Sequence, residues 1–130
     1  MAIVTSAGFV ETALLLGGNA AGDPFTHIAV GASSQADNVA LTTLSNELTG
    51  HLARVAATVS WAQTSYASDT VVFSHTWTAT GAATVWESGV FNSSSAGNML
   101  CYGTFANSIV MASDDTLKVT WSVQVKAGAA

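Results

Sequence analysis

The sequence predicts a mainly β domain, an antiparallel β-sandwich or jelly-roll-like barrel with an N-terminal α-helix. Three observations carry that prediction. From Leu52 onward, apolar and polar residues alternate in short runs, the period of a half-buried strand. The sole proline is Pro24, so no later run contains a residue that cannot donate a ladder hydrogen bond. Ahead of those runs, Thr5 to Leu16 is apolar around most of a helical circumference. A chain of 130 residues fits one compact domain, residues 1–130.

The helix comes first. Thr5 or Ser6 can cap its start, and Gly17-Gly18 offers a left-handed stop. Val4, Ala7, Phe9, Val10, Ala13, Leu14, Leu15 and Leu16 leave only a narrow polar stripe of Thr5, Glu11 and Thr12. A helix so apolar is expected to be buried on more than one side. Asn19 to Pro24 then reads as a turn and Phe25 to Gly31 as a strand, followed by a polar loop over Ala32 to Asn38. Leu41, Leu44 and Leu48 share one side of a predicted short helical turn.

The rest is β. Leu52 to Ala62 and Thr70 to Ala79 alternate, with Gln63 to Ser68 as the loop between them and Gly81 in the next turn. Val85 to Asn92 is partly apolar on both faces, and Ser93 to Asn98 forms a hairpin loop into Met99 to Phe105. In the last strand, Leu117, Val119, Trp121, Val123 and Val125 point one way, and Lys118, Thr120, Ser122, Gln124 and Lys126 the other. Gly128 to Ala130 reads as a small tail. Strands without Lys or Pro protection are a hazard for a monomer and acceptable where neighbouring chains cover them.

Composition narrows function. Charged residues make up 8% of the chain, against about 25% in an ordinary soluble domain. The polar surface is instead Ser, Thr and Gly, which loses little on desolvation because no full charge leaves water. That suits a subunit interface, since interface cores are depleted in charge. Arg54, Lys118 and Lys126 are the only basic side chains and net charge is −5, so no direct nucleic-acid partner is expected. No apolar run approaches the roughly 18 residues of a membrane span, and Met1 to Leu16 lacks a basic signal-peptide start, so no membrane partner is expected.

No catalytic, cofactor or metal constellation emerges, and the expectation is a non-enzyme without a cofactor. His27, His51 and His75 lie in separate strands or strand starts, with no carboxylate at ligand spacing. Asp114-Asp115 fits a turn before the last strand. Cys101 sits in an apolar run as a small hydrophobe. Glu87 lies in a largely apolar strand and needs a partner: a structural ion pair of Arg54 with Glu87, or of Arg54 with Glu47, would settle these charges. The functional alternative is a catalytic Glu87. Phe73, Trp77, Trp86, Phe91 and Trp121 are the expected core or interface aromatics. Strand tryptophans could instead form a platform for sugar on a host surface.

Several segments resemble small tailed-bacteriophage virion proteins. They are Ile3 to Gly8 leading through the apolar helix to Gly17-Gly18, Phe25 to Gly31, Asn46-Glu47-Leu48 with Arg54 after it, Trp86 to Asn92, Met99 to Phe105, and Asp115 to Val123. Two groups share the pattern: capsid decoration, or cement, proteins and the related modules of tail-collar and fibre proteins. The resemblance implies a virion structural protein that oligomerises, a trimer being favoured, and whose partner is the major capsid protein or another virion protein. Because fibre chains carry long further segments, the length of this chain favours capsid decoration on the head exterior. A tail, baseplate or fibre-attachment subunit is the alternative.

Overall fold

The structure, a computed structural model, describes residues 2–127. Two antiparallel sheets pack face to face, with one helix at the N-terminal end. Strand β1 (Ala2–Val4) leads into helix α1 (Ser6–Leu16). Then follow β2 (His27–Gly31), a single 3-10 turn (Gly50–Leu52), β3 (Val55–Ala56), β4 (Thr58–Ala62), β5 (Thr70–Thr78), β6 (Ala83–Phe91), β7 (Met99–Met111) and β8 (Thr116–Gln124). The larger sheet has the order β1-β7-β6-β2-β3 and the smaller one β4-β5-β8. Neither closes on itself, so the molecule is a sandwich and not a barrel.

The alternating residues define the core. Ile28 and Val30 of β2 and Val85 of β6 meet Trp77 of β5 and Leu117 and Val119 of β8. Deeper toward the helix end, Val90 and Cys101 meet Phe73. The smaller sheet turns its other face to solvent, where Thr58, Ser60, Thr76, Lys118, Thr120 and Ser122 are exposed. The larger sheet is covered on its second face too. Ala29, Phe91, Met99 and Tyr102 lie there beneath Leu41 and Leu44.

That cover corrects one expectation. The segment from Leu41 to Leu48 is not helical: it is irregular and touches the sheet through a single bridge, Glu47 with Gly31. Its backbone spends its hydrogen bonds on β2 instead of on itself, since Leu48 N–H donates to Val30 O (2.9 Å) and Ala32 N–H to Asn46 O (2.8 Å). Three leucines at helical spacing also suit a loop that lays them onto a sheet.

The run from Leu52 to Ala62 is likewise not one strand. It pairs with β2 as β3, passes Ala57, and continues in the other sheet as β4. Alternation hides the crossing because Val55, Ala57 and Val59 all face the shared core. Two features go beyond the sequence reading: β1 pairs with β7, and β7 runs on to Met111, beyond Phe105. The predicted tail at 128–130 lies outside the described residues.

Candidate functional site

Helix α1 is built as expected at its ends. Thr5 adopts extended backbone, its hydroxyl accepts from Gly8 N–H (3.0 Å), and the same hydroxyl donates to Met99 O. Gly18, at φ +66°, closes the helix with Gly18 N–H on Leu15 O and Asn19 N–H on Leu14 O, a Schellman stop.

Its orientation reverses the expectation. The helix is buried on one side only, and the buried side chains include Glu11 from the polar stripe. Gly8 lets the helix lie directly on β7: a Cβ there would stand 2.4 Å from Leu100 O. Glu11 then binds two loops, its Oε2 accepting from Asp23 N–H and its Oε1 from the Asn98 side-chain amide, each at 2.9 Å. The apolar side faces outward. Phe9 is 61% exposed, Val10 60% and Leu16 80%.

Beside this helix face opens an apolar cleft of about 400 Å³. Leu15 of α1 and Pro24 and Phe25 form one wall, and Trp61 and Val125, from the end of the smaller sheet, form the other. Trp61 and Val125 are themselves largely exposed. Leu15 belongs to both the helix and the cleft, so exposed apolar side chains occur on α1 and at the cleft it borders, and such surface is the kind that marks contacts between macromolecules.

Several of the few charged side chains are used inside the fold. Arg54 forms a two-point pair with Glu47: Nε donates to Oε2 (3.1 Å) and Nη2 to Oε1 (2.6 Å). Its Nη1 donates to Ser93 O and Ala96 O, pinning the β6–β7 turn, and the guanidinium lies 3.6 Å over the Phe91 ring. The alternative partner, Glu87, is not brought to Arg54. Glu87 is fully buried and accepts from the Tyr102 hydroxyl (2.7 Å) and from Asn46 N–H (3.0 Å). Asp69 collects the N–H groups of Thr64, Ser65 and Tyr66 and the Gln124 amide. Partial desolvation raises this carboxyl, but those hydrogen bonds to its ionised form outweigh it and hold it well below the usual carboxylate range.

The remaining candidate residues are dispersed. Phe73, Trp77 and Phe91 are buried, Trp121 is half-buried with Nε1 on Ser88 Oγ (3.0 Å), and Trp86 is 37% exposed. The histidines serve locally: His27 with the Thr26 hydroxyl, His51 with Thr80 N–H, and His75 edge-on to Trp77. Asp115 accepts from Ala112 N–H within its turn. Among the described residues, no three His, Cys, Asp or Glu side chains gather at one point. Burial pushes the Cys101 thiol up to about 12. Among the described residues, no helix is long and apolar enough to cross a membrane.

The fold is a two-sheet β-sandwich with an exposed apolar helix face. Residues 12–125 match the family model described as "Podophage GP4 fiber I protein gp80", and the chain belongs to that family. It is a bacteriophage virion structural protein. No curated protein and no solved structure matches the chain.

Proposed function

We propose that this chain serves as a fibre or fibre-attachment subunit, holding neighbouring virion chains through the outward face of α1 and the adjoining cleft. The observation that carries the reading is the exposure of Phe9, Val10 and Leu16 on α1 and of Trp61 and Val125 at the cleft that Leu15 borders. Covering each large side chain contributes about 1.5–3 kcal/mol before ordering costs, so a few such contacts sustain a stable joint. The role is mechanical and not catalytic: Glu11, Glu47, Glu87 and Asp69, the carboxylates of the interior and its loops, act as loop anchors.

The test is to complement a phage lacking this gene with Phe9→Ser/Leu16→Ser and to label particles with an antibody against the chain. The reading expects gold at the tail with the native chain and particles without the double variant, whose fold is checked by circular dichroism. Gold distributed over the head would favour capsid decoration instead, and full incorporation of the double variant would overturn the apolar contact. Because Trp61 is exposed, tryptophan emission that shifts with host glycans would favour the host-surface reading.

A further inference from the structure

The four sheet edges differ in length: β1 has three residues, β3 two, β4 five and β8 nine. Among the described residues, strand β8 pairs only with β5, in an unbroken register from Thr70↔Gln124 to Thr78↔Thr116. The direction of its main-chain groups can be read from the ladder's two ends. Val125 N–H donates to Asp69 O (2.9 Å), and Asp115 O accepts from Ala79 N–H (2.8 Å). In an antiparallel ladder such groups alternate sides. Odd-numbered residues therefore face β5, and the N–H and C=O groups of Thr116, Lys118, Thr120, Ser122 and Gln124 point away from it along a free edge.

We propose that two copies of this chain pair through β8, antiparallel and centred on Thr120, joining their three-stranded sheets into one. Unsatisfied main-chain donors and acceptors in a row call for another extended strand. Three observations select a second copy. Thr120 is the midpoint of Thr116–Gln124, so a two-fold axis there overlaps both strands completely. Thr120 also presents its own N–H and C=O outward, so it can exchange both hydrogen bonds with its symmetry mate. Beyond the paired strands, the same register brings Lys126 toward the Asp114-Asp115 turn of the second copy, twice by symmetry. Neither Lys126 nor Asp114 has an ion pair within the chain, where Arg54–Glu47 is the one salt bridge among the described residues.

Other registers fit less well. Sliding by one residue would turn core side chains to solvent. Sliding by two shortens the ladder and moves Lys126 off the acidic turn. In the centred register Lys118 meets Ser122, and Trp121 meets Val119 on the inner face. The pairing also covers the open flank of the sandwich. A cleft of about 390 Å³, lined by Ala2, Phe105, Val119 and Trp121 among others, separates β8 from β1 and β7 there. The opposite flank is already sealed by the passage from β3 to β4. This contact is independent of the α1 face and of the position on the virion.

The test uses the full chain at tens of micromolar, by sedimentation or native mass spectrometry. The native chain is expected as dimers or even multiples. Thr120→Pro removes the central outward N–H and no bond to β5, so it is expected to halve the mass with an unchanged β signal by circular dichroism. Lys126→Glu is expected to weaken association about threefold to tenfold, the scale of exposed ion pairs, and adding Asp114→Asn is expected to recover part of that loss. A native chain that stays monomeric across that concentration range would overturn the pairing. So would a folded Thr120→Pro variant of undiminished mass. Should Thr120→Pro fail to fold, an unchanged dissociation constant in Lys126→Glu overturns it.

Discussion

The Tyr102 hydroxyl donates to Glu87 Oε2 at 2.7 Å, and that bond fastens the long irregular segment to the larger sheet. Tyr102 sits on β7 and Glu87 on β6, while the same two groups take the N–H of Gln35 (3.1 Å) and of Asn46 (3.0 Å). Tyr102→Phe leaves a buried carboxylate oxygen without its donor. It is expected to cost about 1–3 kcal/mol in chemical denaturation, with hydrogen exchange rising between Gln35 and Asn46.

The same pair sets an alkaline limit. Burial, then the hydrogen bond to Glu87, pushes the Tyr102 phenol up to about 12, above its ordinary value of about 10. Its stabilisation is therefore complete below about pH 10 and lost as pH rises toward 12. Melting temperature is expected to fall across that window in the native chain and to fall less in Tyr102→Phe.

Asp69 acts at the other end of the scale. Its folded pKa lies below the unfolded value near 3.9, so its contribution is present above that value and lost as pH falls further. Asp69→Asn is expected to flatten the acid limb of stability below about pH 4, read from melting curves between about pH 2 and 6, without altering the fold at neutral pH.

Gly8→Ala reverses a familiar trend. Alanine inside a helix ordinarily gains about 0.5–1 kcal/mol over glycine. Here the new methyl would meet Leu100 O at 2.4 Å and Leu100 Cα at 2.9 Å, both backbone atoms. The variant is expected to lose about 1–3 kcal/mol, and α1 to become the first segment cleaved in limited proteolysis.

Cys101 is expected to resist alkylation in the native state at pH 8 and to react on denaturation. The thiol is buried between the sheets with its pKa raised to about 12 by desolvation, so the reactive thiolate is scarce. Rapid labelling of the folded chain would contradict this packing.

Much of this architecture was legible in local pattern. The strict alternation of β8 and the caps of α1 at Thr5 and Gly18 depend on near neighbours, and both are found where the residues indicate. The placement of α1 was not. Hydropathy points Phe9 and Leu16 inward, yet the helix turns Gly8 and Glu11 to the sheet, because close backbone contact and two loop donors decide the fit. The partner of Arg54 was open for a similar reason: Glu47 lies in the irregular segment after β2 and Glu87 on β6, and only the tertiary path of that segment chooses between them. Likewise, periodicity could not reveal that the chain changes sheets at Ala57, since inward and outward positions keep their order through the change.

That change of sheet has a mechanical consequence. Between Val55 and Ala62 no turn intervenes, so tension applied to the smaller sheet reaches the larger one along covalent backbone. Peeling the sheets apart from that flank would have to draw out Val55 and Ala56, held in the ladder by Ile28 and His27, before the core opened. The sandwich is thus pinned along one side as a hinge is, and its open side is the flank bordered by β1 and β8.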